Sequence, residues 1–183
     1  SERQFTQEFD CEFLGSVDTL ITAAKLRVLT YDDIMTTNGS LDVYENPIDK
    51  HEYIITVDVS RGLAQDYSAF VVIDITHAPW RLVAKYRDKD VRPMLFPNII
   101  YNVATNYNKA YVLTEVNDIG EAVAGSLFYD LEYENTLMCA MRGRAGQIVG
   151  QGFSGNKTQM GVKMSKTVKA QGCSNLKTLI EDD

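Results

Sequence analysis

The chain has 183 residues, 45% of them hydrophobic, and a formal net charge of −7. This length and apolar content suit one domain with a buried core, while the longest apolar runs, such as Ala69–Ile73, are far too short to span a bilayer. The polar start Ser1-Glu2-Arg3-Gln4-Phe5 is not followed by the apolar stretch of a signal peptide, so a soluble intracellular protein with no membrane partner is expected.

Cys11, Cys139 and Cys173 are odd in number and widely spaced, and the two histidines are His51 and His77. That set argues against a zinc site or a disulfide framework. The charge is unevenly spread. Residues 1–60 carry twelve acids against four bases. From Asn135 to Ile180 there is no acid, yet there are seven bases: Arg142, Arg144, Lys157, Lys163, Lys166, Lys169 and Lys177. A basic stripe binds phosphates even when the whole chain is negative; the alternative is an ordinary solvated surface.

In chain order, residues 1–48 read as a lead-in with two short helical stretches. One opens with Asp18 and one with Thr30, each itself a candidate N-cap, and Asn38-Gly39-Ser40 is a turn. Three β-rich runs follow: Tyr53–Ser60, Ser68–Thr76 and Arg81–Arg87, with Pro79 in the second connection. Their short links predict an antiparallel meander. Phe96–Asn108 carries Ile99, Ile100, Val103, Ala104 and Tyr107 on one helical face, with Pro97 suited to the first turn. Ala110–Val116 is a fourth strand, Ile119–Glu134 a second helix and Thr136–Met141 a fifth strand. The sequence βββαβαβ predicts an α/β fold with a mixed sheet. A glycine-rich stretch follows, read as a hairpin or loop, and a helix begins near Leu176 after Ser174.

Gly150-Gln-Gly152-Phe-Ser-Gly155 satisfies G-x-G-x-x-G and is followed by Lys157-Thr158. It lacks the downstream helix and acidic strand of a dinucleotide site and is not a Walker A loop. A glycine-rich turn is the better reading, so no ATPase motor is expected in this chain.

Two carboxylates invite a chemical reading. Asp58 sits among Ile54, Ile55, Val57 and Val59, where desolvating a charge is expensive. Glu115 repeats the situation near the end of Tyr111-Val-Leu-Thr-Glu-Val. If their strands are neighbours, the acids meet at the carboxyl end of a sheet, where ligands of open α/β sheets bind. A divalent cation relieves their repulsion, and Mg²⁺ takes oxygen ligands from one or two carboxylates, phosphate and water. The bland alternative is that each acid caps a backbone group at a strand end. Asp118 reads as a helix N-cap rather than a ligand.

The stretch YIITVDVSRGLAQDYSAFVVIDI (Tyr53–Ile75) resembles the first hairpin of the nuclease domain of large terminases from T-even-like tailed phages. AYVLTEVNDIGEAV (Ala110–Val123) is similar to the strand and helix start that carry that family's second acid, and QEFDCEFLGSVDTLI and KAQGCSNLKTLIE extend the likeness to both ends. The resemblance implies an RNase H-like mixed sheet flanked by helices, with strand order 3-2-1-4-5. It implies a Mg²⁺-dependent endonuclease, Mn²⁺ able to substitute, that cuts concatemeric double-stranded DNA at initiation and termination of packaging with little sequence specificity. Asp58 and Glu115 match the first two acids of the family's metal cluster. Asp66 matches an acidic position before the second strand, as an auxiliary group or as an Asx-turn residue. Arg61 stands where relatives often have an acid.

Under the same resemblance, residues 1–48 lie next to an absent ATPase domain and residues 49–183 form the nuclease domain. That domain reads as C-terminally incomplete, since the third acid belongs beyond the last strand and Asp182 and Asp183 come too early for it. Activity of the chain alone is then expected to be weak or absent. Arg142, Arg144, Lys157, Lys163, Lys166 and Lys169 are the expected DNA-binding residues. The implied partners are DNA, the upstream ATPase domain, the portal ring and the small terminase subunit, in the host cytoplasm. The alternatives are a non-catalytic DNA-guiding or portal-docking module, or another RNase H-like nuclease such as a resolvase.

Overall fold

Alternating burial along the chain defines the central strands in a computed structural model, which describes residues 19–61, 66–141, 146–151 and 158–181. In order, the elements are α1 (Ala23–Val28), β1 (Thr36–Asn38), β2 (Leu41–Val43), β3 (Tyr53–Asp58), β4 (Ser68–Asp74), β5 (Arg81–Asp88) and α2 (Phe96–Asn106). They continue with β6 (Tyr111–Thr114), α3 (Gly120–Gly125), a π-helical turn (Ser126–Asp130), β7 (Leu137–Ala140), β8 (Ile148–Gln151), β9 (Thr158–Met160) and α4 (Lys166–Glu181). The chain divides into two compact units: Asp33–Ser165, and the described parts of Ser1–Asp32 with Lys166–Asp183.

The larger unit is built on a six-stranded sheet of order β1-β2-β5-β4-β3-β6. All pairings are antiparallel except β3 with β6. The run β5-β4-β3-β6 is the 3-2-1-4 part of the expected order. The fifth expected strand, β7, meets β6 through a parallel bridge between Val112 and Thr136, and is itself the centre of a three-stranded sheet, β8-β7-β9. At the other edge the hairpin of β1 and β2 adds to β5, with Leu41 opposite Tyr86. The fold is therefore the expected RNase H-like α/β arrangement with extra strands at its margins.

One face of this sheet is the core. Tyr53, Ile55 and Val57 of β3, Phe70 and Val72 of β4, and Ala84 and Tyr86 of β5 are buried there against Phe96, Ile100 and Ala104 of α2. Phe70 stacks on Tyr86 at 5.0 Å between ring centroids and on Phe96 at 6.0 Å. Each buried ring of this size contributes about 1.5–3 kcal/mol by leaving water. Pro97, in the first turn of α2, costs nothing there because its missing N–H would have had no helical partner. The opposite face carries Ile54, Thr56, Val71 and Leu113, which are half-buried.

Three local expectations change. The helix expected over Ile119–Glu134 is regular only as far as Gly125; the π-helical turn follows, and the chain leaves it with Glu132 at φ 51°. No helix forms from Thr30, and α1 starts after Thr22, whose hydroxyl accepts from the Lys25 N–H at 3.3 Å. Helix α4 spans 16 residues and begins well before Ser174. Within its unit, the Glu181 carboxylate accepts from the Thr22 N–H at 3.2 Å.

Candidate metal centre

Strands β3 and β6 run parallel and in register to Val57 opposite Thr114. The next residues are Asp58 and Glu115, and the Glu115 N–H donates to the Val57 carbonyl at 2.8 Å, carrying the ladder one step further. Side chains directly opposite in a sheet share a face, so the two carboxylates stand side by side, one strand spacing of roughly 4.8 Å between their backbones. This is the face of Thr56, Val71 and Leu113, opposite the core.

Asp58 is exposed and Glu115 half-buried. Asp58 is not desolvated, contrary to what its apolar neighbours in the sequence suggest, because it is the last residue of β3 and emerges where the sheet ends. The physical case for a cation rests on two like charges at one register position rather than on burial.

Two shallow depressions meet at Asp58. One, of about 370 Å³, lies between Asp58 and Glu115 over Thr56, Leu113, Val162 and Met164. The other, of about 430 Å³, is lined by Asp58, Ser60, Arg61, Asp66, Tyr67 and Asp118. The loop carrying Asp66 is closed at its base by buried serines. The Ser60 N–H donates to the Ser68 hydroxyl at 3.0 Å, and the two hydroxyls lie 3.2 Å apart. Asp66 itself is exposed.

Asp118 is not the N-cap of α3. That place belongs to Ile119, without a side-chain hydrogen bond, while Asp118 sits at φ 55° and its carboxylate accepts from the Arg61 guanidinium at 2.5 Å. That bond holds the Asp118 carboxyl below its ordinary value. The pair is exposed on both sides and adds little to stability.

The end of β6 is gripped from two directions. After β9 the chain passes alongside it, the Val162 N–H donating to the Thr114 carbonyl at 2.8 Å and the Val116 N–H to the Val162 carbonyl at 2.9 Å. Gly161 makes this approach at φ +79°, and a Cβ there would overlap the Thr114 carbonyl oxygen. On the other side, Gly120 packs so closely that a Cβ would overlap the carbonyl oxygen of Glu115. The Asn117 amide accepts from the Met164 N–H at 3.0 Å and donates to the Met164 carbonyl at 3.1 Å. None of these supports carries a sequence motif: each depends on which backbones the fold brings together.

Of the expected DNA-binding residues, Lys163 is exposed and directly follows Val162, the partner of the Glu115 segment. Lys166 and Lys169 are exposed on α4, in the smaller unit. Arg142, Arg144 and Lys157 lie outside the described residues, as do Asp182 and Asp183.

Among the described residues no group of three or more His, Cys, Asp or Glu side chains is placed to hold a metal ion. Asp58 and Glu115 nevertheless fit a hard divalent cation. They offer oxygen donors on one face, open to solvent, and Mg²⁺ commonly takes no more than two carboxylates before substrate and water complete its shell.

The large terminase nuclease of thermophilic phage G20c with bound magnesium is 22% identical, with a TM-score of 0.66 over 92% of this chain and 72% of that one. The same nuclease with bound cobalt gives 21% identity and the same score and coverage. The large terminase nuclease domain of Thermus phage P74-26 is 24% identical, with a TM-score of 0.58 over 87% of this chain and 67% of that one. At these identities the likeness establishes the fold. Residues 55–183, well over half of the sequence, match the family described as Terminase RNaseH-like domain, and the chain belongs to that family.

Proposed function

We propose that this chain is the nuclease domain of a phage large terminase, a divalent-metal-dependent endonuclease that cuts concatemeric double-stranded DNA with little sequence preference when packaging begins and ends. The observation that carries this reading is the parallel register that sets Asp58 and Glu115 side by side at the open end of β3 and β6. Both carboxylates would hold Mg²⁺, with Mn²⁺ as a substitute; the magnesium, cobalt and zinc bound in related nucleases support a divalent ion. Such an ion supplies Lewis acidity towards the scissile phosphate and a more acidic water. Asp58 and Glu115 fix where that phosphate lies. Asp66, on the neighbouring depression, serves as an auxiliary acceptor for water. Lys163, Lys166 and Lys169, with Arg142, Arg144 and Lys157, supply sequence-independent contacts to phosphates.

In this reading residues 49–183 are the nuclease domain and residues 1–48 lead in from an ATPase domain. The portal ring and small terminase subunit are the partners, and the host cytoplasm is the place of action. The test is nicking and linearisation of plasmid DNA with Mg²⁺ or Mn²⁺ by the wild-type protein, Asp58→Asn and Glu115→Gln. Each substitution is expected to lower cutting on the order of a hundredfold or more while circular dichroism is unchanged. Undiminished cutting by either variant overturns the metal-site assignment.

A further inference from the structure

The register of the sheet brings a further charge onto the face of the two acids. Asp58 is paired with Ala69, and Ala69 with Arg87. Glu115, Asp58, Ala69 and Arg87 therefore form one row across β6, β3, β4 and β5, all on the same face. Arg87 stands two strand spacings, roughly 10 Å, from Asp58. Between them lies a single methyl group, that of Ala69, so nothing bulky in the row separates the guanidinium from the carboxylates.

Arg87 is exposed, and its guanidinium carbon lies 3.7 Å from the centroid of the Tyr67 ring. Tyr67 in turn lines the depression that holds Asp58 and Asp66. Stacking on an aromatic face orients a guanidinium while leaving its in-plane N–H donors available. The other basic residues on the strands of this sheet are paired with acids, Lys85 with Asp42 at 3.2 Å and Arg81 with Glu45 at 3.0 Å, and Arg61 beside the depression is paired with Asp118. Among the described residues Arg87 has the Tyr67 ring and no carboxylate.

We infer that Arg87 binds a backbone phosphate of the DNA strand lying across Asp58 and Glu115, and that Tyr67 is the positioning residue that holds it there. An oriented, solvent-facing fork of donors without an acidic partner suits a phosphodiester. Its place in the row sets the strand's path over the carboxylates. The nature of the ligand rests on the nuclease reading above; the binding itself does not require cleavage.

The test is fluorescence anisotropy with a labelled mixed-sequence duplex in EDTA, at several salt concentrations, using the purified protein. Arg87→Gln is expected to weaken binding roughly tenfold and to reduce the slope of log K against log salt by about 0.9. Arg87→Lys restores the slope and part of the affinity. Tyr67→Leu weakens binding less than Arg87→Gln, and Tyr67→Phe binds as the wild type does. Unchanged affinity and slope in Arg87→Gln overturn the assignment, as does a lower melting temperature with an unchanged slope, which marks a purely structural role. Asp58-dependent cutting together with indifference to Arg87→Gln overturns this inference alone. Arg87-dependent binding together with cutting that Asp58→Asn and Glu115→Gln leave undiminished overturns the metal-site reading and leaves this one standing.

Discussion

Asn117 and Met164 hold each other through both ends of a single amide, the Asn117 side chain accepting from the Met164 N–H and donating to the Met164 carbonyl. The bond pair ties the turn after Glu115 to the segment that flanks it. Asn117→Ala is expected to cost about 1–3 kcal/mol, since it leaves backbone groups of Met164 without these partners. Urea denaturation monitored by circular dichroism measures this, and an unchanged midpoint shows that the clamp does not contribute.

Gly120 admits no side chain beside the Glu115 carbonyl. Gly120→Ala is expected to destabilise the fold by about 1–3 kcal/mol, through the backbone shift needed to relieve the overlap. The shift also moves Glu115, so under the proposed function cutting with Mg²⁺ should fall even at temperatures where the variant remains folded. Full stability with full cutting contradicts the geometry.

Thr114 is completely buried, and among the described residues its hydroxyl has no hydrogen-bond partner. Thr114→Val keeps the shape and removes the orphan group, so it should be neutral or stabilising by up to about 1–2 kcal/mol. A loss of stability on thermal melting would falsify the claim that this hydroxyl is unsatisfied.

Asp74 gives the fold a defined acid sensitivity. Burial pushes its carboxyl up, but hydrogen bonds from Thr76 and His51 more than offset this and hold it at about 2. The His51 ring nitrogen lies 2.7 Å from it. The folded value is below the unfolded one near 4, so the stabilising contribution is complete above pH about 4 and is lost as the pH falls towards 2. Over that window the wild type should lose more stability than Asp74→Asn, which starts lower at neutral pH. Parallel pH profiles for the two proteins would rule this out.

Lys163 is exposed next to the strip that flanks Glu115. Lys163→Glu should weaken duplex binding severalfold and lessen its salt dependence by about one phosphate contact, with no change in melting temperature. Binding equal to wild type at low salt removes Lys163 from the DNA path.

The meander, α2 and β6 were legible because each has a strong period: two for the strands, and apolar residues three and four apart for the helix. The two acids were legible for a related reason, as charges set in apolar runs. The apolar neighbours overstate the burial of Asp58, which lies in solvent at the strand end. The β1–β2 hairpin was not legible beyond its Asn38-Gly39 turn, because strands of three residues show no alternation. Helix α4 was hidden by Lys166, Lys169, Gly172 and Asn175, which dilute its apolar spacing. Arg87, Gly120 and Gly161 gave no signal at all. Their roles come from register and close backbone approach, which appear once distant segments pair.

The strip around Val162 and the bridge at Thr136 occupy the outer edge of β6 at Val112, Thr114 and Val116. The acidic end of the sheet therefore offers no free backbone rail on that side, and a partner peptide cannot be templated there as an added strand. Whatever reaches Asp58 and Glu115 must come down onto the open face and be recognised by side chains.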